Sequence, residues 1–260
     1  MKELICSRCG TAKDPEPYTR KDGTADYKQC QNCGSKGKPV KPVVLVIPDT
    51  HAPFHKKGYI DFVQSIYEEN NCNAVVHLGD EADYHYSSYH ESDPDGLSAE
   101  DELRAAVDNI TELAKVFPYM RVCYGNHSLI PKRKAFSSAL SKHLVKSPKQ
   151  VYLDMGAPVE NWVFAESFDL NGVHYTHGNG RKAKSRMERS GNSIVQGHYH
   201  HESYIHWLYN ENQCIFAMQL GALIDWKAYA FAYNKSGIPP HHNCAVVNDK
   251  TPTIYYMEER

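Results

Sequence analysis

Five short clusters of polar residues, spread between positions 49 and 200, most strongly constrain what this chain can fold into. Each follows a short apolar or β-branched run and offers only oxygen or imidazole nitrogen as donor atoms. With Glu81 and Asp83 set aside, they supply three Asp/Asn oxygens, four imidazoles and one further histidine, which is the ligand inventory of a two-metal hydrolytic centre. The clusters are Asp49-Thr-His51, Gly79-Asp80-Glu-Ala-Asp83, Gly125-Asn126-His127, His177-Gly178 and Gly197-His198-Tyr-His200.

The spacing within the clusters favours shared metal sites. Asp49 and His51 stand two residues apart, as do His198 and His200. In an extended backbone, residues two apart face the same side, so both members of each pair can reach one ion. Binding sites in open α/β sheets form beyond the carboxyl ends of strands, where all five clusters are expected. One cluster alone is a weak signal, but five in order are not explained by chance.

Length and composition describe an ordinary globular protein. The chain has 260 residues, a formal net charge of -2 and 41% hydrophobic residues, enough for one large domain with a small appendage. No run of 18 or more apolar residues exists, so we expect no membrane span. The N-terminus lacks the apolar core of a signal peptide, which predicts a cytoplasmic protein.

Residues 1–38 are predicted to form a small zinc ribbon. Two Cys-x-x-Cys-Gly motifs stand twenty residues apart, a pattern that presents four thiolates to one structural Zn²⁺. So few apolar residues lie here that metal binding would have to stabilise the fold. A structural or oligomerising role and DNA contact are equally compatible with the weak positive charge. Residues 39–42 are predicted as a linker and residues 43–260 as the main domain. The four thiolates belong to Cys6, Cys9, Cys30 and Cys33.

The apolar patterns predict an α/β first half and a mostly β second half. Helices are expected at 59–69 and at 99–117, the latter capped by Ser98. Short apolar or alternating runs predict the strands. These strands are 43–47, 74–78, 120–124, 162–168, 172–176, 194–196, 203–208, 213–218, 244–247 and 253–256.

The order D-x-H, G-D, G-N-H, H and G-H-x-H resembles the pattern of the calcineurin-like metallophosphoesterases. The resemblance covers residues 43 to about 201, and the Gly79–Asp83 segment looks closest to phage-encoded members. It implies an α/β fold in which two facing mixed β-sheets are flanked by helices. For a phage-encoded chain, the expected location is the host cytoplasm.

The resemblance also implies ligand roles. One metal takes Asp49, His51, Asp80 and His200, and the other takes Asp80, Asn126, His177 and His198, so that Asp80 bridges the pair. This donor set suits Mn, Fe, Co, Ni or Zn better than Ca or Mg, and we favour Mn. Two such ions roughly 3.5–4 Å apart share a hydroxide that attacks the phosphorus. His127 is not a ligand in this assignment but a general acid for the leaving oxygen.

One position departs from the family pattern. After Asn126 and His127 the family usually has Asp or Glu, whereas this chain has Ser128. An acidic neighbour would orient the histidine and raise its pKa, but a serine can only orient it weakly. Our hypothesis is that Asp83, in the same turn as Asp80, takes over this role.

The substrate is less constrained. Lys132 and Arg133 follow the His127 cluster, and Arg181 and Lys182 follow His177, so all four are candidate substrate-binding residues. Solvated helix faces explain these cations about equally well. The aromatic segment 84–90 offers stacking surfaces for nucleobases, or is simply packed. The acidic stretch 91–101 argues against a broad anionic footprint.

Three functional hypotheses remain open at this point. The leading one is a nuclease or phosphodiesterase acting on DNA or RNA. The second is a phosphatase or phosphodiesterase for a nucleotide or other small phosphoester. The third is a non-catalytic module that binds nucleic acid or protein.

Two groups of residues are expected to have no role at the site. Cys72, Cys123, Cys214 and Cys244 are predicted to be core thiols. Histidines outside the clusters are predicted as polar surface or loop residues, with a minority at the mouth of the site. They include His85, His90, His201, His206, His241 and His242.

Overall fold

The computed structural model describes residues 41–89, 93–231 and 237–258, together with two short strands nearer the N-terminus. These are β1 (Tyr18–Thr19) and β2 (Ala25–Asp26), which pair antiparallel. The predicted zinc ribbon, with its four cysteines, otherwise lies outside the described residues, as does His90.

A six-stranded sheet carries the first three polar clusters. Its order is β13-β12-β3-β4-β5-β6, in which β3 to β6 run parallel while β12 and β13 are antiparallel to their neighbours. The strands are β3 (Val43–Ile47), β4 (Ala74–His77), β5 (Arg121–Cys123), β6 (Val163–Ala165), β12 (Asn243–Asn248) and β13 (Thr251–Tyr256).

A five-stranded sheet carries the last two clusters. Its order is β10-β11-β9-β8-β7, with β8, β9 and β11 parallel and the two outer strands antiparallel. The strands are β7 (Ser167–Leu170), β8 (Val173–Thr176), β9 (Ser193–Gln196), β10 (Tyr204–Tyr209) and β11 (Cys214–Gln219).

The described residues include five α-helices. They are α1 (Tyr59–Glu69), α2 (Ala99–Val116), α3 (Ile130–Ser137), α4 (Pro148–Asp154) and α5 (Ala183–Ser190). Residues of α1 and α2 share a core cluster with the larger sheet, and α5 packs on the smaller one. Single 3₁₀ turns occur at His85–Ser87, Lys142–Leu144 and Tyr229–Phe231.

Strand β3, inside the larger sheet, is buried on both faces. Leu45 and Ile47 of β3 join the core cluster under the helices, while Val44 and Val46 pack against Val195 and other residues of the smaller sheet. This double burial explains why β3 reads as a continuous apolar run rather than as an alternating one. The predicted α/β fold, with two sheets flanked by helices, is therefore present in the described residues.

Some element predictions were wrong in detail. The predicted strand 162–168 is two strands, because the chain passes from the larger sheet (β6) to the smaller one (β7) between Ala165 and Ser167. Cys214 is exposed rather than a core thiol, since it begins β11 opposite Tyr209 in the outermost pair of the sheet. The other three predicted core thiols are buried. Within the described residues, no helix has both the length and the apolarity to cross a membrane.

Candidate metal centre

The five clusters meet at one edge of the two packed sheets. Asp49 and His51 follow β3, Asp80 follows β4, and Asn126 follows β5. His177 follows β8 directly, while the Gly197–His200 cluster follows β9. Because these strands run parallel within their sheets, their carboxyl ends bring the clusters together from positions far apart in the sequence.

A first group of donors consists of Asp49, His51 and His200. Their ligand atoms all lie within 4.8 Å of one another, the separation expected of residues that hold one ion. His200 Nε2 lies 3.1 Å from Asp49 Oδ2. His51 Nε2 lies 3.8 Å from Asp80 Oδ2, so Asp80 borders this group as well.

A second group consists of Asp80, His177 and His198, whose ligand atoms are again within 4.8 Å of one another. His177 Nε2 lies 3.2 Å from Asp80 Oδ2 and 2.9 Å from Asn126 Oδ1. His198 Nδ1 lies 3.2 Å from the same His177 nitrogen. The structure therefore brings all seven predicted ligands together, in two groups with Asp80 between them.

The buried polar atoms of the site fit a cation. Asp49 Oδ1 and His51 Nε2 are buried and have no hydrogen-bond partner within the described part of the chain. Such atoms carry a desolvation cost, which coordination to a divalent ion would offset. Burial raises the pKa of Asp49, but His177 and His200 outweigh it and hold that pKa below its usual value. The donor set therefore fits divalent ions.

The electrostatics of His177 indicate how strongly the site attracts positive charge. Burial lowers the pKa of His177, but the carboxylates of Asp80 and Asp49 outweigh burial and raise it to about 9. Since desolvation normally disfavours a charged imidazole, two buried anions are needed to reverse the sign. A cation between these carboxylates would meet the same field.

Two glycines allow close approach of backbone to carboxylate. A Cβ added at Gly125 would collide with the Asp80 carboxylate and backbone nitrogen, and one added at Gly197 would collide with Asp49 Oδ1. The backbone is also strained here, because His51, Asp80 and His198 have φ angles of 47°, 49° and 71°. Non-glycine residues in this left-handed region concentrate at functional sites.

His127 lies beside the first group with its ring fixed by Asp83. Its Nδ1 lies 2.6 Å from the Asp83 carbonyl oxygen and 3.2 Å from Asp83 Oδ1. Because a carbonyl only accepts, Nδ1 carries the proton and donates it. Burial lowers the pKa of His127, but the charges of Asp80 and Asp83 outweigh it and raise the pKa to about 10.

Asp83 joins His127 to the metal-binding groups. Its Oδ1 lies 2.5 Å from Nδ1 of His51, leaving His51 Nε2 free to face the site. Burial raises the pKa of Asp83, but His127 and His51 outweigh it and hold the pKa well below its usual value. A carboxylate that orients a histidine from its far nitrogen is the common second layer of metal sites.

The side chain of Ser128 hydrogen-bonds to Glu81. It is buried, and its hydroxyl donates to Glu81 Oε2 at 2.7 Å. Tyr152 donates to the other oxygen of Glu81 at 2.7 Å. Burial raises the pKa of Glu81 despite these two bonds. The acidic group nearest the serine therefore belongs to Glu81, whereas Asp83 contacts His127.

Sequence reasoning missed His77, which supports the turn that carries Asp80. Its Nδ1 accepts from the Gly79 N–H at 3.2 Å, and its Nε2 lies 3.1 Å from Thr50 Oγ1. The Thr50 hydroxyl in turn donates to the Glu81 carbonyl. Burial lowers the pKa of His77 to about 4, so it stays neutral. A histidine inside an otherwise apolar strand was the available signal.

Five of the seven donors, together with His127, line a cavity of about 360 Å³. Four other lining residues, Ile224, Trp226, Phe231 and Pro240, are apolar, and nothing in the sequence indicated them. The lining residues are His51, Asp80, Asn126, His127, His198, Tyr199, His200, His201, Ile224, Trp226, Phe231 and Pro240.

The candidate substrate cations lie outside this lining. Lys132 and Arg133 belong to α3, where Lys132 Nζ lies 5.6 Å from the Tyr124 ring centre and the Arg133 guanidinium 5.0 Å from that of Tyr89. Lys182 is paired with Glu202. Arg181 is exposed, and its carbonyl accepts from Gln196.

Several aromatic and histidine side chains differ from expectation. Tyr84 packs against the core and His85 is buried beside Phe54, so neither presents a stacking surface, whereas Tyr86 and Tyr89 are exposed. His242 is also buried rather than at the surface, because its Nε2 donates to the Ile224 carbonyl at 3.0 Å.

Comparison with known proteins finds a matching family model and several similar solved structures. The family model described as Calcineurin-like phosphoesterase matches residues 42–230, whereas no curated protein matches the chain. Similar solved structures include Yfce, a phosphoesterase from E. coli, at 14% identity, with 83% of this chain and 100% of that chain covered and a TM-score of 0.39. A Pseudomonas putida nuclease, MPE, is 12% identical, with coverage of 81% and 87% and a TM-score of 0.39. Vps29 from Entamoeba histolytica is 9% identical, with coverage of 83% and 99% and a TM-score of 0.37.

Proposed function

Because this chain belongs to the calcineurin-like phosphoesterase family, we propose that it is a dinuclear-metal-dependent enzyme that hydrolyses phosphoester bonds. One observation carries the proposal. Seven oxygen and imidazole donors converge, and five of them line one cavity together with His127, which is not a proposed ligand. Two buried atoms of the donors lack partners within the described residues.

The proposed ligand sets follow the two donor groups. Asp49, His51 and His200 hold one ion and Asn126, His177 and His198 hold the other, while Asp80 contributes to both. When bound, two transition-metal ions such as Mn²⁺ act as Lewis acids that activate water and neutralise charge on the phosphoryl group.

His127 is the proposed general acid. It lines the cavity, and its raised pKa keeps the ring protonated at neutral pH. The ring can therefore give a proton to the leaving oxygen as the ester bond breaks. Asp83 is a positioning residue in this proposal, because it fixes the Nδ1 proton and so leaves Nε2 as the transferring atom.

We further propose that the substrate is nucleic acid, either DNA or RNA. Lys132, Arg133 and Lys134 lie on the helix that follows His127, and two of them approach the exposed ring of Tyr89. Within the described residues, none of these cations belongs to an ion pair with an acid. Unpaired cations with an exposed aromatic ring favour a phosphate backbone with unstacked bases.

A substrate panel tests this function. The manganese-loaded protein is offered labelled single- and double-stranded DNA, bis-p-nitrophenyl phosphate and mononucleotides, with Asp80→Asn as the control for contaminating nuclease. We expect turnover of DNA that is lost in the variant. Turnover of only the small esters would favour the alternative of a small-molecule phosphoesterase. No turnover and no manganese binding would favour a non-catalytic binding module.

The N-terminal segment is proposed to be a separate zinc-binding unit, with residues 39–42 as a linker to the main domain at 43–260. Its pairs of cysteines support one zinc ion. Removing residues 1–38 should eliminate one equivalent of zinc and leave manganese binding intact. Unchanged DNA affinity and salt dependence in the shortened protein would show that the ribbon does not dock DNA.

A further inference from the structure

The apolar side of the cavity has no part in holding metal or moving protons. We call this part of the lining the apolar wall, and it consists of Ile224, Trp226, Phe231 and Pro240. Trp226 is the largest of these side chains and is only half-buried. A partly exposed tryptophan that lines a cavity offers a large aromatic side chain to whatever occupies the cavity.

The segment that carries Trp226 is fixed to the segment that carries the metal donors. Leu223 N–H donates to the Asp49 carbonyl and Asp225 N–H donates to the Phe54 carbonyl, both at 2.8 Å. Trp226 also packs against a small apolar cluster that contains Phe54 and Phe231. Its position relative to Asp49 is therefore set by the backbone before any ligand arrives, which lowers the entropy cost of binding.

Phe231 connects the same cluster to the metal-binding histidines. Its ring lies edge-on to His51, with 5.6 Å between the ring centres, and edge-on to Phe54 at 6.2 Å. The apolar wall therefore contacts His51, one of the proposed metal ligands, and lines the same cavity as the other donors.

The charge of the lining restricts what this group can be. Among the described residues that line the cavity, none is a lysine or an arginine. A second phosphate beside the wall would meet no cation among these described lining residues, whereas an uncharged planar ring would bury apolar surface. The volume of about 360 Å³ is at the small end for ligand pockets and suits one nucleotide.

We propose that Trp226 forms a nucleobase subsite, in which the base attached to the reacting phosphate stacks on the indole ring. This deepens the proposed function and rests on it for the position of the phosphate. It assigns the substrate as a nucleotide, free or at the end of a nucleic acid strand. Lys132 and Arg133, outside the cavity, are placed to meet the rest of such a strand.

Equilibrium binding tests the subsite without relying on turnover. Isothermal titration calorimetry of the manganese-loaded protein compares adenosine 5′-monophosphate with glycerol 1-phosphate, which has the same phosphate but no base. The variants are Trp226→Ala, Trp226→Phe and, as a matched control, Tyr119→Ala, which removes an exposed ring that does not line the cavity.

We expect Trp226→Ala to weaken the nucleotide about tenfold, which corresponds to about 1.4 kcal/mol. Trp226→Phe should recover most of this loss, because phenylalanine keeps a stacking face. Glycerol 1-phosphate should bind all four proteins equally. Equal weakening of both ligands, or no weakening of either, would overturn the subsite.

The outcomes separate the subsite from the reaction. If the protein hydrolyses DNA but Trp226→Ala binds both ligands like the wild type, the subsite is wrong and the proposed function stands. If no phosphoester is hydrolysed but the nucleotide alone is weakened by Trp226→Ala, the subsite stands and the proposed function is wrong.

Discussion

At the scale of single residues, the least substitutable positions of the site are those without side chains. Gly125 and Gly197 pass so close to Asp80 and Asp49 that a methyl group would occupy the same space as the carboxylates. Neither glycine has the positive φ that would itself call for glycine, so the demand is steric. Because these glycines have no Cβ, the carboxylates of Asp80 and Asp49 can lie where the two donor groups need them.

Gly125→Ala should therefore abolish manganese binding, because its Cβ would displace the Asp80 carboxylate that lies between the two donor groups. Gly156→Ala is the matched control: it is strained at φ +92°, yet its Cβ meets nothing. The control should lower the free energy of unfolding by about 1 kcal/mol and still bind manganese. Calorimetric titration measures manganese binding by both variants. Normal binding by Gly125→Ala would show that the close approach of residue 125 to Asp80 is not critical.

Asp83→Asn should move the alkaline limb of the pH–rate profile to lower pH. The Asp83 carboxylate is one of the charges that raise the pKa of His127, so its removal lets the ring lose its proton at lower pH. Activity should fall by about 10- to 100-fold as well, since outer partners of metal-binding histidines matter to that degree. An unmoved limb would exclude Asp83 as the partner of His127.

Ser128→Ala is the companion to that experiment. Ser128 donates to Glu81, so its removal should leave the alkaline limb in place. A limb that moved with Ser128 rather than with Asp83 would reverse the roles of the two residues.

At the scale of elements, the sequence predicted what depends on local pattern. The helix at Tyr59–Glu69 was recognisable from its sequence pattern, and the one that begins after Ser98 from apolar spacing and its capping serine. β6 and β7 were not separable, because residues 162–168 form one suitable strand pattern and only packing assigns its halves to different sheets. Helices as short as α4 have too few residues for their apolar positions to show the helical period, so the sequence did not predict them.

The residues of the site also fall into those that local sequence patterns indicate and those that only tertiary contacts bring to the site. The convergence of the seven proposed donors and His127 was predictable, because each stands in a motif at a strand end. The place of Trp226 at the same cavity was not predictable, because nothing beside it in the chain relates it to Asp49. The backbone bonds of the 223–225 segment establish that relation, and they join residues far apart in the sequence.

Ser98→Ala should lower the free energy of unfolding by about 1 kcal/mol without changing metal affinity. The Ser98 hydroxyl oxygen accepts from the Asp101 N–H at 3.2 Å and caps α2, which carries no predicted ligand. Ser147→Ala, which removes the equivalent cap of α4, is the control. Chemical denaturation measures the loss, and weaker manganese binding in either variant would contradict the separation of cap from site.

At the scale of the whole molecule, metal binding and folding are linked through protons. His177 and His127 have pKa values of about 9 and about 10 in the folded protein, above the value of about 6.5 for an unfolded histidine. A raised pKa contributes stability that is fully present below pH ~6.5 and lost as the pH rises through the folded value. The metal-free protein should therefore lose stability from pH ~6.5 to ~10.

Metal binding should show the opposite trend. His177 must be neutral to bind an ion, so manganese affinity increases as its proton is lost. The difference in melting temperature between manganese-loaded and metal-free protein should widen from pH 6 to pH 8. Scanning calorimetry measures this difference in melting temperature. Asp80→Asn is the control, because it should lose the ions of the cavity but keep any zinc in the N-terminal segment. A difference that stayed constant or narrowed would contradict the linkage.

The central claim is that seven residues from two sheets hold two ions with Asp80 shared between them. Anomalous diffraction at the manganese absorption edge tests it most directly, on crystals of the full chain grown with Mn²⁺. We predict two peaks in the cavity, one beside Asp49, His51 and His200, and the other beside Asn126, His177 and His198. Both peaks should be lost in Asp80→Asn. A single peak, or two peaks that persist in that variant, would contradict the shared centre.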